Sequence, residues 1–263
     1  MKPHSLVAVN ANDVMPTNAD GTMRFRQNSD LFYLSGVDQE ETILILCPDF
    51  PDKKYREVLF LRETNEHIAT WEGHKLTKDE ARSLTGIETV LWVSEFWKLF
   101  NTMMVMGDTQ FVYLNTNDHY RAESLVTTRE MRFVKTCMER YPLHAYERLA
   151  PIMHKLRSVK SKIEIDLLQE ACNITEQAFR RVLNFVKPGV MENEIEAEYI
   201  HEFIRRGSRG FAYEPIVASG KNSCVLHYIE NDKPCRDGDI LLLDVGAEYA
   251  NYNADLTRSI PVN

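Results

Sequence analysis

The stretch LLLDVGAEYANYNADLTRSIPVN places Asp244 and Asp255 on either side of a tyrosine-rich turn. If the flanking segments pair as antiparallel strands about a turn centred between Tyr249 and Ala250, the two aspartates become direct partners on one face. Their Cβ atoms would then lie roughly 4.5–5.5 Å apart, and like charges so placed destabilise a sheet unless something offsets them. One carboxyl could hold a proton. A divalent cation could sit between them, since carboxylate oxygens suit manganese or magnesium and also serve zinc or cobalt. Both acids could instead be solvated on an exposed hairpin. The apolar run from Ile240 to Leu243 reads as a strand buried on both faces, which favours a buried pair. Two carboxylates alone do not hold a transition metal tightly, because such ions take further ligands with nitrogen among them.

His227, in SCVLHYIEN, is the natural companion to consider. The segment reads as a strand with Val225 and His227 on one face, where a histidine can equally be a hydrogen-bonded core residue. Cys224 precedes it by three in the same strand, a poor geometry for a Cys–His pair. HExxH, GxSxG and Walker glycine motifs are absent from the sequence.

The elements that must position these residues read in two styles. In the first half, LFYLSG (31–36), ETILILCP (41–48), EVLFL (57–61) and FVYLN (111–115) have strand composition. TKDEARSLTG (77–86) and SEFWKLFNTMMV (94–105) have helical periodicity. The alternation implies an α/β layer domain. A boundary falls in APIMHKLRSVKS, giving expected domains 1–155 and 156–263. Beyond it, Ser161 and Glu164 form a capping box that opens a helix, with Ile165, Leu168, Cys172, Phe179, Leu183 and Val186 at helical spacing. Pro188 and Gly189 oppose its continuation. A second helix spans about 192–206, and strands follow, as at the opening of an α+β domain.

Composition excludes some roles. The formal charge of -8 over 263 residues lacks the basic face that a nucleic-acid partner needs. No apolar run approaches the length of a membrane span, and the start lacks the apolar core of a signal peptide. The five cysteines form no CxxC pair, which suits reduced thiols in the cytoplasm.

These residues bear a resemblance to a known family. From Arg157 onward the chain is similar to the aminopeptidase P branch of the pita-bread metallopeptidases, in RSVKSKIEID, VKPGVMENEIE, ASGKNSCVLHYIEND and RDGDILLLDVGAEYANYNADLTRSIPVN. The last contains the specific pattern D-x-G-x8-D-[IL]-T-R, and FRQNSDLFYLSGVDQEETILIL (25–46) resembles the family's N-terminal domain. The resemblance implies an α/β creatinase-like N-terminal domain followed by the first half of an α+β pita-bread catalytic domain. It implies two divalent metal ions, usually manganese, with Asp244 chelating one and Asp255 bridging both. His227 then contacts the substrate and the scissile carbonyl oxygen, Tyr213 lines the pocket, and Trp71 is lent to a neighbouring subunit's pocket in a dimer or tetramer. The implied activity is release of an N-terminal residue that precedes proline, by attack of a hydroxide bridging two metals. Three further ligands, a histidine and two glutamates, are not found in the sequence, so the chain reads as an inactive N-terminal part of such an enzyme. An Xaa-Pro dipeptidase and a non-catalytic pita-bread module that binds peptides or proteins are the rival readings.

Overall fold

The computed structural model describes residues 1–106, 108–119, 121 and 125–263. The chain divides into two compact units, Met1–Ser158 and Val159–Asn263.

In the first unit, β1 (Ser5–Asn10), α1 (Ser29–Ser35), β2 (Ile43–Leu46), β3 (Glu57–Leu61), α2 (Glu66–Glu72), α3 (Lys78–Thr85), β4 (Thr89–Trp92), α4 (Phe96–Met106), β5 (Phe111–Leu114), α5 (Arg129–Arg140), β6 (Ala145–Arg148) and α6 (Ala150–Ser158) follow in order. The six strands form one mixed sheet in the order β4-β3-β2-β1-β5-β6. β1 runs antiparallel to β2 and parallel to β5. Every residue of β1 is buried because both faces of the sheet are covered. Leu6 and Ala8 face a cluster supplied by Phe96, Phe100 and Met103 of α4 and Phe133 and Cys137 of α5. Val7 and Val9 face the opposite cluster, with Leu31 of α1, Ala81 of α3 and Met153 of α6.

LFYLSG, strand-like by composition, is helical. Asn28 caps it by accepting from the backbone N–H groups of Asp30 and Leu31, and Gly36 closes it in the left-handed region at φ 69°. Local capping here overrides the aromatic and aliphatic content. β6 is invisible to composition because AYER is a half-exposed edge strand.

In the second unit, α7 (Lys162–Phe185) opens at the Ser161–Glu164 capping box and α8 (Glu192–Arg205) packs against it. Then come β7 (Gly210–Phe211), β8 (Ile216–Ser219), β9 (Ile240–Val245), β10 (Ala247–Tyr249), β11 (Tyr252–Asn253) and β12 (Leu256–Pro261). They form two three-stranded sheets, β11-β10-β7 and β12-β9-β8. The buried stripe of α7 is Ala171, Ile174, Ala178 and Val182, so small residues let the helix approach. Ile165, Cys172 and Leu183, part of the expected apolar stripe, lie exposed. β9 is not buried on both faces as its composition suggests. Leu241, Leu243 and Val245 pack on α7 and α8, whereas Ile240 is half exposed and Leu242 sits with Ile216, Ala218 and Tyr228 on the other face.

Candidate active site

Asp244 lies on β9 and Asp255 immediately precedes β12. Their register differs from the expected one. Asp244 opposes Thr257 rather than Asp255, and the same pairing continues through Glu248 opposite Asn253 and Tyr249 opposite Tyr252. The hairpin therefore turns at Ala250 and Asn251, both left-handed at φ 48° and 66°, as a two-residue turn of the primed class requires. The slip is two residues, and side chains alternate with period two. Asp244 and Asp255 thus stay on one face as diagonal neighbours. Gly246, opposite Asp255, allows this approach: a Cβ there would lie 1.9 Å from the Ala254 carbonyl oxygen.

The two carboxylates converge on one phenol. Tyr213, half-buried in the bend after β7, donates from Oη to Asp244 Oδ1 at 2.6 Å and reaches Asp255 Oδ1 at 3.2 Å. Burial, reinforced by both aspartates, pushes the Tyr213 phenol up from its usual range and keeps its proton on. A phenol has one hydrogen for two acceptors. No ion pair among the described residues reaches either aspartate. The hairpin is anchored to α7 by the Ala247 N–H, which donates to Thr175 Oγ1 at 3.0 Å, and to the loop before β7 by buried Glu248, which accepts a fork from Arg209 at 3.0 Å on each oxygen.

His227 is not on a strand. Residues 220–224 form a 3-10 turn and His227 lies in the exposed turn that follows. Among the described residues, no hydrogen bond or ion pair joins it to Tyr213, Asp244 or Asp255. What fixes its segment is Glu192, at the start of α8. Its fully buried carboxylate accepts from the Ser219 N–H at 2.7 Å, the Lys233 N–H at 3.0 Å and Tyr228 Oη at 2.7 Å, tying both ends of the segment together. Trp71 belongs to the first unit. It is 78% exposed on α2, a helix with no buried residue, which the Arg62–Glu72 fork holds at 2.5 and 2.7 Å.

The donor set suits a hard divalent ion, because two unpaired carboxylates face one point. It supplies two ligands: no group of three or more His, Cys, Asp or Glu side chains among the described residues could hold a metal.

Comparison with known proteins then decides the family. Residues 1–113 match the aminopeptidase P N-terminal domain and residues 166–263 match metallopeptidase family M24. The chain belongs to the aminopeptidase P family. It is 34% identical over 264 residues to an Xaa-Pro aminopeptidase of Escherichia coli, covering 100% of this chain and 59% of that protein. Zinc-substituted Escherichia coli aminopeptidase P in complex with product superposes with a TM-score of 0.85 at 33% identity, over 100% of this chain and 59% of that one. Proline aminopeptidase P II from Yersinia pestis gives a TM-score of 0.85 at 31% identity, with 100% and 60% covered. The chain thus spans about three fifths of the length of these relatives and corresponds to their N-terminal part. The expected fold class, an α/β N-terminal domain followed by the opening of the pita-bread domain, is the one found.

Proposed function

We propose that Asp244 and Asp255 are the first two ligands of a dimetal centre in an Xaa-Pro aminopeptidase, which releases an N-terminal residue preceding proline. The observation that carries this reading is the convergence of two carboxylates, with no ion-pair partner among the described residues, on the Tyr213 phenol. Manganese is the ion we favour, with zinc the alternative that the zinc-substituted relative supports. When bound, the ions would supply an activated water and polarise the scissile carbonyl.

The chain's own residues then have separate tasks. Asp244 and Asp255 would hold the ions and provide the negative charge, Asp255 being the residue that the resemblance assigns to both. Tyr213 orients both carboxylates and lines the substrate pocket. His227, on its exposed turn, donates to the oxygen that becomes an oxyanion, where a prepositioned donor gains most. Trp71 extends from the surface as the residue lent to a neighbouring subunit in a homo-oligomer. Substrates are peptides with proline at the second position. The five free cysteines fit a reducing compartment, the cytoplasm. No helix among the described residues is long and apolar enough to cross a membrane.

With only two ligands brought together among the described residues, the 263-residue chain by itself is expected not to turn over substrate. The test incubates the purified chain and a longer protein, extended to the length of these relatives, with manganese and an Xaa-Pro-Xaa peptide. Release of the first residue by the longer protein alone is the expected result. Release by the 263-residue chain overturns the two-ligand reading. Binding without turnover by both supports a peptide-binding module instead.

A further inference from the structure

The loop that carries His227 is held by a buried charge. After β8 the chain makes an excursion over residues 220–230, in which Tyr228 alone is buried, its ring packed on Ile216, Ala218 and Leu242. The other residues of the excursion, His227 included, reach solvent. A loop with so few buried apolar contacts has little of its own to keep it in one conformation.

Glu192 supplies the restraint. It is fully buried, and no ion pair among the described residues reaches it. A buried charge must be compensated, and here four hydrogen bonds do so. Oε1 accepts from the Ser219 N–H at 2.7 Å and from Asn222 Nδ2 at 3.4 Å. Oε2 accepts from Tyr228 Oη at 2.7 Å and from the Lys233 N–H at 3.0 Å. Every partner donates, so the ionised carboxylate is the form that serves them all. Its place in the first turn of α8 adds the favourable end of the helix dipole. These bonds divide by position: Ser219 precedes the excursion, Lys233 follows it, and Asn222 and Tyr228 lie within it. Tyr228 adjoins His227, so the bond that draws the phenol inward leaves the imidazole on the outer side. Asn231 repeats the pattern one step on, in the left-handed region at φ 44°. It accepts from the Val217 N–H at 3.0 Å and donates to Glu196, one turn along α8, at 2.9 Å.

We propose that Glu192 is a positioning residue for His227: by tying Tyr228 and both ends of the loop to one point, it sets where the imidazole is presented. This rests on the reading of His227 as the donor to the scissile carbonyl oxygen. The argument is directionality. An apolar residue could fill the same space without a buried charge, and such replacements are often neutral for stability, but it could not fix the ends and the middle of a polar loop together. Placement of this kind matters to rate, since a shift of about 1 Å in a reacting group can cost on the order of a hundredfold. Glu192→Gln keeps the volume and turns an amide N–H2 toward two of the four donors, so it frees the loop while the core stays filled.

The test has two arms. In the 263-residue chain, amide hydrogen exchange across residues 219–233 should be roughly tenfold faster or more in Glu192→Gln, as the loss of a charged hydrogen bond implies, with α7 and β9 unchanged. Unchanged exchange in the loop, or a rise spread equally over α7 and β9, overturns the proposal. Tyr228→Phe keeps Glu192 and the buried ring and removes only the middle tie, so it makes the same comparison if Glu192→Gln does not fold. The second arm is a double-mutant cycle with an Xaa-Pro-Xaa peptide, in a protein extended to the length of the relatives. Glu192→Gln should lower kcat about tenfold to a hundredfold, with KM and metal content near those of the parent. In the His227→Ala background the same substitution should cost less than about twofold, because residues that act as a unit are not additive. Equal losses in both backgrounds would make Glu192 a structural residue only and overturn the proposal. An extended parent without turnover refutes the aminopeptidase reading and the positioning role with it, a result distinct from an active parent with additive losses.

Discussion

Each unit of the molecule brings two carboxylates together, and the two pairs are neutralised in different ways. In the N-terminal unit Asp30 has the Arg157 guanidinium and the Asn115 amide, while Glu130 takes up a proton near neutrality. In the C-terminal unit Asp244 and Asp255 share one phenolic hydrogen, and no cation among the described residues reaches them. Residue type does not separate the pairs. The separation lies in whether the protein supplies the compensating charge itself. A pair with a resident guanidinium and a protonated partner is complete without an ion, whereas a pair with neither must be met from outside.

The largest effect should come from removing one charge of the open pair. In the longer protein Asp255→Asn should lower kcat/KM for an Xaa-Pro-Xaa peptide by more than His227→Ala does. Loss of a single oxyanion donor typically costs about 2.7–4 kcal/mol, whereas a shared ligand disturbs both ions. Near-normal turnover with unchanged metal content in Asp255→Asn would reject the shared-ligand role.

Next in size is the geometry that makes the pair. Gly246→Ala would drive a methyl group into the Ala254 carbonyl, 1.9 Å away, so β9 and the start of β12 must separate. Overpacking of this kind typically costs about 1–3 kcal/mol, occasionally more, and we expect the upper part of that range in the urea midpoint of the C-terminal unit. A midpoint within experimental error of the parent would mean that the strands have room to spare.

The closed pair can be probed by pH. The folded Glu130 carboxyl is raised from 4.5 to about 7, so its contribution is fully present below pH 4.5 and is lost as pH rises through 7. The loss amounts to roughly 3 kcal/mol. Glu130→Gln removes that dependence, so the variant should be relatively more stable than the parent at pH 8 than at pH 4.5. All three tryptophans, Trp71, Trp92 and Trp97, lie in the N-terminal unit, so fluorescence-detected urea unfolding reports this unit alone. Parallel pH profiles for parent and variant would refute the assignment.

The open pair was legible because its parts are local: D-x-G-x8-D falls within one hairpin, and even a two-residue error in register keeps both aspartates on the same face. The Ser161–Glu164 box was legible for the same reason. The closed pair was not, since Asn28 and Glu130 are 102 residues apart in sequence yet share a hydrogen bond, and no local pattern announces it. Glu192 carries no local signal, since its partners, Ser219, Tyr228 and Lys233, are brought to it only by folding. VLHYI has strand composition, yet the backbone at His227 forms a turn close to that buried carboxylate.

The smallest expected effect is the most direct discriminator between the two pairs. Manganese should stabilise the C-terminal unit through Asp244 and Asp255, since an ion between two facing carboxylates removes their repulsion. With two protein ligands the ion keeps most of its water, so affinity should be weak, roughly millimolar by analogy with weak oxygen-ligand sites. An ion at about ten times its dissociation constant adds about 1.4 kcal/mol to the native state. The calorimetric midpoint of the C-terminal unit should therefore rise across a manganese series, and the rise should vanish in Asp244→Asn. It should also vanish on acidification through the carboxylate range, because protonated ligands bind poorly. Glu130→Gln should retain the full response, because the pair in the N-terminal unit already holds its compensating charges. An identical manganese response in parent and Asp244→Asn would locate the ion elsewhere and would remove the contrast between an open and a closed pair.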